Sequence, residues 1–366
     1  MSERESNCKA SIYDSSSLEQ LRRELRLDPH QIRQFRNGLL KQFCSDDQVR
    51  KSFPYAEYLK LHSLELFRRC DSEVDGASKL LFRTEAGMLI EAVVLRIASG
   101  RTTLCVSSQV GCAAACDFCA TGKMGIAQNL SPEQILDQVL QAGQLLALED
   151  RRLRNIVFMG MGEPFHNEAN LHIALERLAA KDGFHHSPSK ILVSSVGVAD
   201  AMLRCAERFP DVNLALSLHS VHQEVREELI PLAKKYPLDQ LRSVLMEINR
   251  LQNCTVMLEY LMLAGMNDSL DDARALIAWS HGLNVHVNLI PYNPIEDSPH
   301  LKGTKPEQQQ RFAGVLKQSG LKTTIRYSLG SDIAAACGQL VKKENRELAR
   351  SLKILERNDS PEHSRN

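Results

Sequence analysis

An excess of charge of either sign is missing from this sequence: across 366 residues, 45 basic residues stand against 45 acidic ones, a formal net charge of zero. That balance does not announce a polyanionic partner, nor does it exclude one, because a local basic face is enough to bind one. Long apolar runs are missing too. Nowhere do about 18 apolar residues run without a charge, and the start, Met1 to Ser6 (MSERES), has no apolar stretch of the kind a secretory leader carries. The sequence therefore predicts a soluble, cytoplasmic protein with no membrane association. Aromatic residues make up only 5%, yet 43% hydrophobic and 25% charged residues exclude an intrinsically disordered or collagen-like chain. Internal repeats and low-complexity segments are also absent. Ten cysteines at uneven spacing in a chain of this length read as cytosolic thiols, with any cluster among them metal-binding or redox-active rather than a disulfide scaffold.

The order of patterns along the chain suggests the fold. Residues 1–14 and the tail from about Asn358 are polar and expected to be disordered. From Ser15 to about Ser72 the apolar residues Leu18, Leu21, Leu25, Ile32, Phe35, Leu39 and Phe43 are spaced mostly by three and four, which predicts a small helical module over residues 15–76. Lys79 to Arg83 and Met88 to Arg96, joined by a short link ending in Gly87, predict a β-hairpin within a linker over 77–100. Beyond it, short β-rich runs alternate with amphipathic segments: Leu104 to Ser107, Asn155 to Met159, Ile191 to Ser194, Val212 to Leu218, Thr255 to Leu263, Val285 to Ile290 and Thr323 to Tyr327. The segment after Ser131 carries its own start signal, with Ser131 suited to the N-cap, Pro132 to the first turn and Gln134 to a capping box. Alternation on this scale implies a parallel sheet with right-handed crossovers, and a full or partial (β/α) barrel over 101–345 suits it best, followed by a C-terminal helix and tail over 346–366. In such barrels the chemistry sits at the C-terminal ends of the strands.

Cys112, Cys116 and Cys119 lie there, directly after the first barrel strand. The spacing C-x3-C-x2-C can wrap three thiolates around three corners of one cluster, and no fourth ligand stands in the same motif. An iron–sulfur cube held by three thiolates leaves one iron free for a small molecule, whereas structural zinc closes its shell. A zinc site completed by Cys105, and plain core thiols, remain as the other readings. An open iron can chelate the amino and carboxylate groups of a methionine moiety, which is how an electron reaches the sulfonium of S-adenosylmethionine (SAM) and releases a carbon radical. Phe118 and the loop Thr121 to Gly125 flank the cysteines.

Around this motif the chain resembles the radical SAM RNA adenine methyltransferases, the family of RlmN and Cfr. The resemblance runs from about Lys79 to Leu340 and is less distinct through the helical module. It rests on Arg101 to Cys112 (RTTLCVSSQVGC), the cysteine motif, Phe158 to Pro164 (FMGMGEP) with Asn167, Val193 to Ser195 with Gly197, Ala215 to His219 (ALSLH), Glu259 and Tyr260 through Gly265, Asn267 and Asp268, Asn288 to Pro294 (NLIPYNP), and Asp332 to Leu340 (DIAAACGQL). It implies a partial (β/α) barrel of radical SAM type, a [4Fe–4S] cluster on Cys112, Cys116 and Cys119, and two SAM molecules used in turn. In that family the first methylates a C-terminal cysteine, matched here by Cys337. A second yields a 5′-deoxyadenosyl radical that takes hydrogen from the S-methyl group, and the methylene radical adds to an adenine ring carbon. Cys105 matches the cysteine that forms a disulfide with Cys337 to release product, and Glu91 matches the base that removes the adenine proton. Gly162, Glu163, Ser194, Ser217, Leu218, His219 and Asn293 match positions that contact SAM.

Taken alone, several of these residues have plainer readings. Cys337, among Ala334 to Ala336 and Gly338, and Cys105, within a strand, would pass as small core thiols. A Cys105–Cys337 disulfide requires both to border one pocket. Glu91 stands in an apolar strand, where a carboxylate is seldom buried unless paired, so it either faces solvent or is a base that burial strengthens. His219 alone would pass as a core histidine. Cys8, Cys44, Cys70, Cys205 and Cys254 match nothing functional.

The sequence departs from the family pattern in the stretch Arg326 to Asp332 around Leu329, where a second basic residue and an acidic one are commoner, at Ala233, where asparagine is usual, and at Ser220 to His222. The implied activity is methylation of C2 of an adenine in 23S ribosomal RNA at the peptidyl transferase centre, extending to transfer RNA, by a monomer served by an electron donor such as flavodoxin. The alternatives are Cfr-type C8 methylation, which confers antibiotic resistance on ribosomes, and action on another RNA. From other classes come a zinc-stabilised RNA-binding module and an iron–sulfur electron carrier.

Overall fold

The computed structural model describes residues 9–53, 55–125, 127–252, 254–326, 329–336, 338, 339 and 345. Cys337 lies outside these residues, as do Cys8, Tyr327 and the segments 1–8 and 346–366.

Among the described residues, ten strands form one open sheet whose spatial order is the sequence order: β1 (Glu65–Asp71), β2 (Ala77–Arg83), β3 (Leu89–Arg96), β4 (Thr102–Cys105), β5 (Asn155–Phe158), β6 (Ile191–Ser195), β7 (Asn213–Ser217), β8 (Val256–Met262), β9 (Val285–Pro291) and β10 (Thr323–Ile325). From β4 to β10 every neighbouring pair is parallel, and β1 to β4 pair antiparallel. Among the described residues the barrel is therefore partial, with β1 and β10 as its edges.

Helices fill the crossovers because their sequences bury one stripe. The helix at Leu238–Leu251 buries Leu238, Leu241, Leu245 and Ile248, spaced by three and four. The helix at Pro132–Leu148 starts with the expected capping box, Ser131 accepting from Gln134 N and the Gln134 side chain answering to the Ser131 amide. Ile156, Val193, Leu216, Leu258 and Leu289 of the strands share one core with Leu136, Leu171, Met202 and Phe312 of the helices.

Two expectations change. Glu65–Asp71 is a strand paired with Ala77–Arg83, not part of a helical module. Its sequence, ELFRRCD, shows no alternation because this edge strand is exposed along nearly its whole length, so no apolar face was needed. The expected hairpin linker is correspondingly no separate unit but an extension of the barrel sheet. The helices before it, Ser15–Glu24, Pro29–Arg36 and Asp46–Ser52, are moored to the barrel by Asp137. This fully buried carboxylate accepts from Tyr13 Oη at 2.9 Å, Ser63 N at 2.7 Å and Leu64 N at 2.8 Å, and lies 2.7 Å from His62 Nδ1.

Strand register decides what faces the inside. Directly paired residues project from the same face of a sheet. Lys79 pairs with Val93 and Leu81 with Glu91, Val93 with Cys105, and Cys105 with Val157. Leu192 pairs with Val157, Ser194 with Ala215, Ser217 with Glu259, and Glu259 with Asn288. One continuous face therefore carries Lys79, Glu91, Cys105, Ser194, Ser217, Glu259 and Asn288.

Candidate active site at the mouth of the barrel

That face opens into a cleft of about 950 Å³ whose walls include Cys112, Cys116, Cys119, Gly162, Glu163, Ser194, Ser217 and His219. The cysteine loop is fixed at several points. Asp117 N donates to Leu229 O at 2.9 Å, Ala120 N donates to Gly338 O at 2.8 Å, and His300 Nε2 lies 2.7 Å from the Asp117 carboxylate, which also pairs with Lys123. Gly122 allows the closest approach: a Cβ there would lie 2.9 Å from Cys116 N. Burial, reinforced by the neighbouring thiols, pushes the Cys112 thiol up to about 12 and Cys116 well above its ordinary value. Such thiols ionise when a cationic centre replaces the protons. Among the described residues no three His, Cys, Asp or Glu side chains gather on the position of a single metal ion, although these three thiols line one cleft. Three thiolates lining one cleft suit three corners of an iron–sulfur cluster.

Beside the thiols runs the turn after β5. Gly162 adopts φ +101°, and a Cβ there would come within 2.6 Å of Gln109 Cβ, so this turn requires glycine. Glu163 follows, buried, its carboxylate accepting from Phe165 N at 3.1 Å and Val196 N at 2.9 Å. Burial raises its pKa to about 7, against the lowering by those two amides. Each oxygen keeps lone-pair capacity towards the cleft for a ligand's ammonium.

Ser194 and Ser217 both turn their hydroxyls to Glu259 Oε2, at 2.8 and 3.3 Å. Glu259 Oε1 is buried, accepts no hydrogen bond and lies 3.9 Å from Arg326 Nη1. Tyr292, in the same wall, is buried with its hydroxyl beside the Ile295 amide. Buried polar atoms are normally satisfied, so a carboxylate oxygen that accepts no hydrogen bond and lines a cleft fits a polar ligand such as the SAM molecule the cysteine motif implies. His219 accepts from Leu261 N at Nδ1 (3.0 Å), and burial, helped by Arg226, lowers its pKa to about 3. It is therefore neutral, with the proton assigned to Nε2 by that hydrogen bond, and its ring meets Phe118 edge-on at 4.7 Å.

The remaining candidates stand around the cleft. Leu218 is fully buried, its amide donating to Glu259 O at 3.0 Å. Asn293 is buried one residue beyond Tyr292. Neither is among the wall residues. Glu91 and Cys105 are buried on the shared sheet face outside the cleft wall, and Glu91 is fully enclosed, which overturns the solvent-facing reading. Its backbone oxygen accepts from Ser107 Oγ at 2.5 Å, and Ser107 Oγ accepts from Met161 N at 2.8 Å, which joins the base candidate to the Gly160–Gly162 turn.

The C-terminal segment crosses the same face. Gly330 N donates to Asp75 at 2.8 Å, Ser72 Oγ donates to Asp332 at 2.9 Å, and Lys79 Nζ donates to Ala334 O at 3.3 Å. Gly338 lines the cleft. Cys337 itself is not described, but described neighbours on both sides of it are tied to Lys79 and to the cysteine loop. Of the departures, Ala233 is buried and packs in one apolar cluster with Cys116, away from solvent. Sequence reasoning overlooked Glu259, Tyr292, Arg226 and Lys79 as site residues. For Glu259 the signal was available: a lone carboxylate inside an apolar strand, the same feature that drew attention to Glu91. Arg226 is fully buried and donates to Val196 O at 2.6 Å.

A partial parallel barrel with three thiols at the C-terminal mouth of its first strand and a glycine turn beside them defines the class of radical SAM enzymes. The radical SAM superfamily model matches residues 106–277. A probable RNA methyltransferase of Rhodopirellula baltica is 62% identical over 338 residues, covering 92% of this chain and 89% of the relative. A probable dual-specificity RNA methyltransferase RlmN of Thermus thermophilus is 41% identical, covering 75% of this chain and 77% of the relative. The crystal structure of a radical SAM methyltransferase from Sphaerobacter thermophilus superposes with a TM-score of 0.84 at 36% identity, covering 90% of this chain and 98% of that one. The chain belongs to the RlmN-type family of radical SAM RNA methyltransferases, which implies a [4Fe–4S] cluster and SAM as its cofactors.

Proposed function

We propose that this protein methylates C2 of an adenine in 23S ribosomal RNA at the peptidyl transferase centre, and in transfer RNA as a further substrate, through an S-methyl group on Cys337 and a transient Cys105–Cys337 disulfide. The observation that carries the reading is the single sheet face holding Glu91 and Cys105, with the residues flanking Cys337 tied to Lys79 on that face and to the cysteine loop at its mouth. A core-packing role for these cysteines would not require that convergence.

Cys112, Cys116 and Cys119 would hold the cluster, which with SAM supplies a 5′-deoxyadenosyl radical when bound. Glu163 receives the ligand's ammonium while its other contacts to Phe165 N and Val196 N keep it from turning. Ser194 and Ser217 hold Glu259 in place, and Glu259 Oε1 offers an acceptor to the ligand. His219 remains neutral and donates from Nε2. Glu91, enclosed and away from water, takes the proton from the adenine ring carbon, and Cys105 attacks the Cys337 sulfur to free the product. The adenine reaches this depth only unstacked from its neighbours. A one-electron donor such as flavodoxin supplies the reducing electron, and the protein works as a cytoplasmic monomer; no helix among the described residues is long and apolar enough to cross a membrane.

The test is anaerobic purification, iron and sulfide analysis, and incubation with reductant, methyl-labelled SAM and unmodified 23S RNA, followed by mass spectrometry of nucleosides and of the Cys337 peptide. A cluster, methylated Cys337 and 2-methyladenosine are the expected results. 8-Methyladenosine in place of 2-methyladenosine would overturn the regiochemistry and move the protein to the Cfr branch, and 5′-deoxyadenosine without methylated 23S RNA would overturn the substrate.

A further inference from the structure

A buried lysine next to a buried glutamate on adjacent strands is an uncommon expense for a sheet interior. Both ions lose their hydration, and the pair seldom stabilises a fold more than apolar residues of the same volume. Lys79 and Glu91 are such a pair. They share the inner face of β2 and β3, their side chains are 7% and 0% exposed, and Nζ lies 3.9 Å from Glu91 Oε2. The same ammonium donates to Ala334 O at 3.3 Å, three residues before Cys337. Lys79 therefore touches both the candidate base and the segment that carries the candidate methyl acceptor. Around it, Ala77 on the same strand face packs against the C-terminal segment: a Cβ on Gly330 would sit 3.0 Å from Ala77 Cβ and 2.9 Å from Ala335 Cβ. The Asp75 carboxylate accepts from Gly330 N, and the Asp332 carboxylate accepts from Ser72 Oγ and Glu73 N, which holds that segment down at its upstream end.

We infer that Lys79 is a positioning residue for the methyl transfer: its ammonium holds the Glu91 carboxylate in place, ionised and ready to accept the ring proton, and fixes the Cys337 segment over that base through the Ala334 carbonyl. The inference rests on the reading of Glu91 as the base. The step it serves is a proton transfer alone. The adenine C–H bond breaks, its electron pair stays with the ring, and the proton forms an O–H bond on Glu91. A carboxylate in an apolar enclosure without a cation beside it would be neutral and unable to accept that proton. The lysine acts through Glu91 and Ala334 and need not touch the RNA.

The experiment compares the cluster-loaded full-length protein with Lys79→Met, Lys79→Arg, Glu91→Gln and the double variant Lys79→Met/Glu91→Gln, measuring methylated Cys337, 5′-deoxyadenosine, methyladenosine and the covalent Cys337–RNA adduct. Lys79→Met is expected to retain Cys337 methylation and 5′-deoxyadenosine release, to form methyladenosine about 100-fold more slowly, the scale of a lost general base, and to accumulate the adduct. Lys79→Arg, which keeps the charge, should recover much of the rate. The double variant should be no slower than Glu91→Gln alone, since the lysine has no base left to serve, and it removes both ions together, so it remains folded if the lone buried charge of Lys79→Met does not. Additive losses in the double variant, or a Lys79→Met protein that makes methyladenosine at the wild-type rate, would overturn the inference. Loss of Cys337 methylation in step with product would also overturn it, because that pattern belongs to a purely structural lysine. A fully active Glu91→Gln would instead overturn the base reading, and this inference with it; adduct accumulation in Glu91→Gln but not in Lys79→Met would overturn the role of Lys79 alone.

Discussion

Replacing Gly162 with alanine tests the turn on which the proposed cofactor site depends. The backbone there has φ +101°, a region that costs a residue with a Cβ about 1–3 kcal/mol. The new methyl carbon would also lie 2.6 Å from Gln109 Cβ and 2.8 Å from Gln109 N. Neither atom can swing aside, because Cβ is fixed by its own backbone and the amide nitrogen belongs to a short paired strand, Gln109–Gly111, so the turn itself must move by about 0.8 Å to reach an ordinary 3.4 Å contact. That movement breaks the 2.9 Å hydrogen bond from Glu163 N to Gln109 Oε1 and displaces the Glu163 carboxylate from the cleft wall. Strain and overpacking together predict a loss of about 2–4 kcal/mol in stability. Displacement of a ligand-orienting group by most of an ångström predicts SAM binding weaker by about tenfold or more. Equilibrium dialysis of SAM against cluster-loaded protein, with thermal unfolding in parallel, measures both. A Gly162→Ala protein with wild-type affinity and a Tm within about 1 °C of wild type would refute the argument that this position requires glycine.

Cys116→Ala should abolish stoichiometric iron and sulfide after reconstitution while leaving the far-ultraviolet circular dichroism unchanged; a full iron complement would remove Cys116 from the cluster. Glu259→Gln keeps the Ser194 and Ser217 donors supplied with an acceptor but removes the charge, so SAM affinity should fall by about tenfold, the worth of a charge-assisted hydrogen bond, with little change in Tm. Unaltered affinity would exclude Glu259 from the ligand site. His62 bridges Asp46 and Asp137; burial works against its charge, yet those two carboxylates raise its pKa to about 10. Because the folded pKa exceeds the unfolded value, the bridge contributes fully below pH 6.5 and its contribution is lost as pH rises through about 10. Urea unfolding should therefore show His62→Gln less stable by about 2 kcal/mol at pH 6 and little different from wild type above pH 10; a pH-independent difference would show that the imidazolium is not the stabilising form.

The sequence by itself determined the features that depend on neighbours along the chain. C-x3-C-x2-C is a local spacing, the Ser131 capping box is a four-residue pattern, and Gly162-Glu163-Pro164 announces its own turn. The alternation of β-rich and amphipathic runs named the parallel strands of the barrel within a residue or two of their observed ends, since each buried crossover must carry its periodicity in its own residues. The strand Glu65–Asp71 was not legible, because an exposed edge needs no apolar face and its existence depends on a partner strand. Tertiary structure alone decided that Lys79 meets Glu91, that Ser194, Ser217 and Glu259 join in one wall, and that the segment before Cys337 lies across the face carrying Cys105. Those encounters follow from strand register and chain return, and register is fixed by the whole buried face at once: a slip of one residue in β3 would turn Glu91 out of this face while leaving every local pattern in the sequence unchanged.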